Sequence, residues 1–568
     1  MIARTPASVF RLVFVLSFAL PLCASLDAAP RSPVTIQILA VSDWDAQLDP
    51  LSVDGVSVGG AAVLSAYFQE ERAANPRTLT LTSGNAFGVS PPLSSFFDDV
   101  PAILAMRLMG FDADTLANHN FDRGLAHLQP LIDLAGAPAG AQPGAPFQYV
   151  SANLKQRDAN LTGVKDFDIF DVGGVRVAVI GLTNPDAPAL VVGGSFGTIE
   201  VTDPVKAALR ALAAARRVGA TVFVAVISAG VTAVDPDTGA ARGPLIEFAR
   251  RVHGFDVILG GQTDVGFAAI VNDALIVENR SKGQTYSRIR LTVDPHNGRI
   301  RARSHEFVIP RAGTVTPDPA VVQRLDVYRA ELPALLATVI GSSTVFVSRA
   351  DACGRTDGLL CESLAGNAVT DAMRLTSETE FAVTNAGGIR ADLTCPTTDD
   401  PSDFCSPYTS PPFLIPRGEV LTALPFGNTV VTLQVDGSEL RTILENGVSS
   451  LPEPHGRFLQ VSGLCFTYDI AAPAGDRLVG VVRQAVDGSC TGAPVDLTAA
   501  STYSVAINNF MASGGDGYPV LIGRATMGDP MDEVVANHIA SHTPISPAIQ
   551  GRVVCITSGA IPCPVATP

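Results

Sequence analysis

Five apolar runs of strand length punctuate the first half of the chain: Thr35–Val41, Thr78–Thr82, Val175–Leu182, Thr221–Ile227 and Asp256–Leu259. They are short and rich in β-branched residues, which reads as strands. Two stretches between them carry helical signals. One is Pro101–Met109; the other is the Ala-rich Pro204–Arg217, with Asp203 at the cap and Pro204 in the first turn. Alternating strands and helices predict a layered α/β domain.

The pattern changes near Pro317-Asp318-Pro319, which precedes an apolar stretch, Ala320–Ala337, of single-helix character. It reads as a connector, although its composition also suits a packed helix of either neighbouring domain. Beyond it, Val339–Val554 has its own strands and glycine loops. The boundaries expected are a leader over 1–28, a first domain over 33–315, a connector over 316–338, a second domain over 339–556 and a loose tail over 557–568. At roughly 150 residues per domain the length would suit three or four units, but two large ones fit these boundaries better.

The leader reads as an export signal: Arg4 and Arg11 flank the start of an apolar run, Leu12–Ala24, and small residues follow at Ala24 and Ala28. The run is short for a membrane span, and no later segment reads as one. A periplasmic or extracellular protein without a stable membrane anchor is expected. All the cysteines after Cys23 lie beyond residue 350, and their even number in an exported chain suggests disulfides. Pairing of sequence neighbours gives 353–361, 395–405, 465–490 and 555–563. The formal charge of −16 argues against a nucleic-acid partner, which needs a basic footprint. It leaves room for a small anion at a local site.

Open α/β sheets place ligands beyond the carboxyl ends of their strands. The polar residues there are Ser42-Asp43-Trp44-Asp45, Ser83-Gly84-Asn85, Asn118-His119-Asn120-Phe121-Asp122, Ser228-Ala229-Gly230 and Gly260-Gly261-Gln262-Thr263-Asp264. In the second half, Glu362-Ser363-Leu364-Ala365-Gly366-Asn367 leads into a helix. Asn385-Ala386-Gly387-Gly388-Ile389-Arg390 follows the strand Phe381–Thr384. Pro425-Phe426-Gly427-Asn428 precedes the strand Thr429–Val435, Phe458–Gly463 precedes another, and Asn509–Tyr518 closes the set.

This ordered series resembles the 5′-nucleotidase family: a calcineurin-like metallophosphoesterase domain followed by a 5′-nucleotidase C-terminal domain. The resemblance implies an α/β layered sandwich, a connector helix and an α+β nucleoside-binding domain. In that family the first-domain loops hold two divalent metals, and water attacks a phosphate ester between them. Carried over by position, Asp43 and Asn118 keep the family's ligand types. Asp45 stands for a His, Asn85 for the bridging Asp, Ala229 for a His, and Gln262 and Asp264 for two more. The eight histidines of the chain are too few at these positions for a two-metal centre. The candidate metal set is therefore Asp43, Asp45, Asn85, Asn118 and Asp264. Its hard oxygens suit one Mg²⁺, Mn²⁺ or Ca²⁺ better than Zn²⁺, or no metal at all.

His119 and Asp122 match the family's phosphate-side pair and are the candidate catalytic residues. His253 reads as a solvated histidine at a helix end. In the second domain the resemblance implies that Phe426 and Phe510 sandwich the base, Asp516 binds the ribose, and Asn385 and Arg390 hold base or phosphate. Cys361 stands just before Glu362, where the family has an Arg. The metal loops are altered and the nucleoside loops kept, so two functions remain open. One is an exported hydrolase of nucleotides, weakened or dependent on a single hard metal; the other is a non-catalytic nucleotide- or nucleoside-binding protein.

Overall fold

The computed structural model describes Met1 and residues 32–189, 191, 194–235, 238–295, 297–395 and 411–564. Apart from Met1, the stretch read as an export signal lies outside them. No helix among the described residues is long and apolar enough to cross a membrane.

The first domain is a four-layer sandwich. A seven-stranded sheet runs in the order 300–308, 286–293, 34–41, 78–82, 113–115, 148–150, 164–165. A six-stranded sheet runs in the order 267–271, 274–278, 257–260, 222–227, 175–182, 167–172. Their inner faces meet in one core, with Ile36, Ile38 and Leu81 opposite Val177, Val179, Val224 and Val226. Helices cover the outer faces, so the central strands are apolar on both sides. This burial explains why they read as continuous apolar runs rather than as alternating patterns. The sheets approach closely at Gly181, where a Cβ would lie 1.9 Å from the Val150 carbonyl oxygen.

The strands Val34–Val41, Thr78–Thr82, Val175–Leu182, Val222–Ile227 and Val257–Gly260 fall within one residue of the expected limits. Helix Pro204–Arg217 starts as its sequence predicts: the Asp203 carboxylate accepts from the amides of Val205 and Lys206. Such a cap is worth about 1 kcal/mol. Val205, Ala208, Ala211, Leu212 and Ala215 recur at helical spacing and are buried.

The connector helix runs Pro319–Leu336, and Asp318 caps it by accepting from the Ala320 amide. It packs on the first domain through the fully buried Val321 and Leu325 and an edge-to-face contact of Tyr328 with Phe97 at 4.8 Å. The second domain holds a five-stranded mixed sheet, 459–462, 381–385, 502–508, 429–436, 526–530, and a three-stranded sheet, 478–483, 464–469, 553–556. Residues Phe458–Gly463, read as a loop before a strand, themselves contain the strand Leu459–Ser462.

Cys353–Cys361, Cys465–Cys490 and Cys555–Cys563 are disulfides. Cys395 is disulfide-bonded, and Cys405 lies outside the described residues. The tail expected to be loose is tied down as far as Pro564. Cys563 is stapled to Cys555, Ser558 bonds Asp469, and the Pro564 carbonyl faces the Cys353 sulfur at 3.4 Å.

Candidate functional site

The altered first-domain positions sit where loops leave the strand ends, and tertiary structure brings most of them together. Both oxygens of the buried Asp43 are occupied: Oδ1 accepts from Asn85 Nδ2 at 2.9 Å and Oδ2 from the Gln262 amide at 2.5 Å. Asn85 Nδ2 also donates to Asn118 Oδ1 at 3.3 Å, and Asn85 Oδ1 accepts from the His119 amide at 3.0 Å. Gln262 Oε1 accepts from Ser228 at 2.8 Å, and Asp264 Oδ1 from the Ser281 amide at 2.6 Å. Asp45 is half-buried beside this network, its amide donating to the Asn85 carbonyl at 2.9 Å. Ala229 is buried and offers only its carbonyl, which accepts from the Gly261 amide.

Asp43, Asp45, Asn85, Gln262 and Asp264 all have left-handed backbones, with φ between 42° and 92°. Each such residue costs on the order of 1–3 kcal/mol, and clusters of them mark ligand sites. Five such residues in adjoining loops concentrate backbone strain at this one place.

His119 Nδ1 lies 2.8 Å from Asp122 Oδ2. Burial lowers the imidazole pKa, but Asp122, with Asp45 and Asp43 behind it, outweighs this and raises it to about 9. At neutral pH this is an imidazolium, suited to face a phosphate dianion. Burial raises the Asp43 carboxyl to about 6, against the hydrogen bonds from Gln262 and Asn85. Burial and the Asp43 charge raise Asp45 to about 8. His253 is exposed just past helix Pro244–Arg251.

The family's metals require oxygen and imidazole donors converging on an ion, and these residues do not fit a two-metal centre. Asn85 turns its N–H toward Asp43 and Asn118, so a donor stands where a bridging carboxylate would accept a cation. Asp43, Asp45 and Asp264 do not form a ligand cluster. Among the described residues, the one triad of ligand atoms within 4.8 Å of one another is Asp351, Cys353 and Cys361, whose sulfurs form a disulfide.

Glu278 has no signature in the sequence, yet it fastens two of these loops. Its fully buried carboxylate accepts from the Val231 amide at 2.7 Å, the Thr263 hydroxyl at 2.7 Å and the Thr263 amide at 3.1 Å. Burial, opposed by those bonds, raises its pKa to about 7.

In the second domain Asn385, Arg390, Phe426, Phe510 and Asp516 line one cavity of about 440 Å³, with Asn428 and Gly456. Phe426 is 58% exposed and Phe510 43%, so neither is a core ring. Asn385 Nδ2 donates to Asp516 Oδ2 at 2.8 Å, and Asn508 fixes the amide by donating to Asn385 Oδ1 at 2.9 Å. Arg390 lies over the Phe426 ring at 5.8 Å. Gly515 lets the Phe510 ring lie close against the backbone, since a Cβ would stand 2.5 Å from it and the ring would have to shift. Two contributors escaped sequence reasoning: Asn508, and Arg349, whose Nη1 donates to the Arg390 carbonyl at 3.3 Å. Cys361 is held by Cys353, and Glu362 behind it accepts from Asn367 and the amides of Gln550 and Arg552. That corner is a structural clasp.

A family model described as 5′-nucleotidase, C-terminal domain, matches residues 339–522. "Endonuclease YhcR" of Bacillus subtilis is 26% identical over 92% of this chain, which spans only 41% of that protein's length. "Snake venom 5′-nucleotidase" of Gloydius brevicauda is 24% identical over 94% of this chain and 90% of its own. The crystal structure of a 5′-nucleotidase precursor from Thermus thermophilus is 27% identical, covers 93% of this chain and 100% of its own, and superposes with a TM-score of 0.53. The family is one of metal-dependent nucleotide phosphoesterases.

Proposed function

Because the chain belongs to the 5′-nucleotidase family, with a calcineurin-like domain ahead of a 5′-nucleotidase C-terminal domain, we propose that it binds nucleotides through the C-terminal domain and has strongly weakened phosphomonoester hydrolysis. One contrast carries this reading. The nucleoside-side residues surround a single cavity, whereas the phosphate-side donors satisfy one another.

In this reading the base stacks between Phe426 and Phe510, a contact worth about 1–3 kcal/mol per base and tolerant of base identity. Asp516, oriented by Asn385, accepts from the ribose hydroxyls. The His119 imidazolium, held by Asp122, faces the phosphate. No step is assigned to a metal, because the donor set does not fit a two-metal centre. Residual hydrolysis on one hard cation is a second reading. It is favoured by the buried Asp43 carboxylate and the intact His119–Asp122 pair. We also propose export, which the basic-then-apolar leader and the disulfides support. N-terminal sequencing of secreted material tests that part.

The central test is calorimetric titration with adenosine and AMP, alongside phosphate release from AMP with Mg²⁺, Mn²⁺, Ca²⁺ or Zn²⁺. Binding with little or no release supports the binder. Robust metal-dependent release, abolished by Asp43→Ala, supports the hydrolase instead.

A further inference from the structure

A second cavity, of about 450 Å³, lies between the domains. First-domain residues Gln47, Ser90, Pro91 and Lys282 face second-domain residues Leu424 and Phe426 across it. Phe426 borders this cleft and the nucleoside cavity alike. A ligand stacked on that ring therefore has an open route toward the first domain.

Lys282 is the basic side chain lining the cleft. Its backbone is held by the loops of the altered centre. The Lys282 amide donates to the Asp43 carbonyl at 2.8 Å, and the neighbouring Ser281 amide donates to Asp264 Oδ1 at 2.6 Å. Its φ is +58°, a left-handed conformation that L side chains disfavour. Gly283 beside it is equally constrained, since a Cβ there would lie 2.8 Å from Leu64. The backbone at Lys282 is thus fixed against the altered loops by its own amide and by that of Ser281. Among the described residues no carboxylate lies within ion-pair distance of its ammonium. The nearby acid Asp532 is taken by Arg417 at 2.6 Å. The cleft therefore offers one cation outside any ion pair, although the Asp45 charge acts on it and Asp532 and Glu533 line the same cleft.

We propose that Lys282 is the phosphate-binding residue of the cleft, receiving the 5′-phosphate of a nucleotide whose base lies on Phe426. This rests on the nucleotide-binding reading and deepens it. A fixed ammonium supplies positive charge to the phosphate where the altered loops no longer fit paired metal ions.

The test is calorimetry on the full chain in metal-free buffer, with adenosine and AMP as ligands, comparing wild type, Lys282→Met, Lys282→Arg and Phe426→Ala. A charge-assisted hydrogen bond contributes about 1.5–3 kcal/mol, or roughly ten- to hundredfold in affinity. Lys282→Met should lose that factor for AMP, keep adenosine affinity within about twofold, and flatten the salt dependence of AMP binding. Lys282→Arg should retain most of the AMP affinity. An unchanged AMP-to-adenosine ratio in Lys282→Met, or an equal loss for both ligands, overturns the assignment. In that case adenosine binding weakened by Phe426→Ala would still uphold the nucleotide reading. If wild type binds neither ligand, both fall.

Discussion

Asn85→Asp restores the carboxylate type that the family places between its metals, and this structure says what it should do. Asn85 Nδ2 donates to Asp43 Oδ1 at 2.9 Å and to Asn118 Oδ1 at 3.3 Å. The substitution removes that donor and sets a second carboxylate against Asp43. At 2.9 Å and an effective dielectric near 20, the repulsion is about 6 kcal/mol. The protein need not bear all of it, because Asp43 already titrates near 6. Holding its proton at pH 7 costs only about 1.4 kcal/mol. Adding the lost hydrogen bonds, metal-free variant at pH 7 should be about 1–3 kcal/mol less stable than wild type. A divalent cation should recover this by neutralising both carboxylates. A ligand at a hundred times its Kd stabilises by about 2.7 kcal/mol. The assay is urea unfolding at pH 5.5 and 7.5, with and without Mn²⁺. The variant should show a Mn²⁺-dependent gain, larger at pH 7.5, and wild type little or none. Equal Mn²⁺ stabilisation of wild type would refute the claim that internal donors have displaced the cation. So would a metal-free variant as stable as wild type at pH 7.5.

Phe426→Ala and Phe510→Ala should each weaken adenosine binding by about 1–3 kcal/mol in calorimetry while leaving the unfolding midpoint nearly unchanged, since both rings are exposed. Glu278 should make stability fall with rising pH. Its folded pKa, about 7, lies above the ordinary 4.5, so the folded state retains a proton that the unfolded chain releases between those values. The loss is about 3 kcal/mol, complete above pH 7, and urea unfolding of Glu278→Gln across that window should lack this slope. Replacing Cys465 and Cys490 by serine opens a loop with a sequence separation of 25 residues. On chain-entropy grounds it should cost about 3.5 kcal/mol, read from the unfolding midpoint.

Sequence reading reached far in some places, and in each the cause is local. The central strands were legible because burial on both faces demands unbroken apolar runs. Helix Pro204–Arg217 was legible because its cap and first turn are neighbours in sequence. The disulfides 353–361 and 555–563 join cysteines eight residues apart, close enough for adjacency to choose the partner. The anchoring of residues 557–564 was not legible because partners such as Asp469 for Ser558 come from another strand.

By itself the sequence determined two domains, the family's residue types kept in the second-domain loops and altered in the first-domain loops. It showed that the residue types at the family's metal-ligand positions differ, but not what the residues there do instead. Only the tertiary structure decided that Asn85 points a donor at Asp43, that the Gln262 amide closes the other oxygen, and that Lys282 enters the cleft shared with Phe426. These partners stand 42, 219 and 144 residues apart. Sheet order and domain docking bring them together, and the direction of an amide is set by the neighbours it meets there. Residue type follows from the chain alone, but the use of a hydrogen bond or a charge depends on what the fold places opposite it.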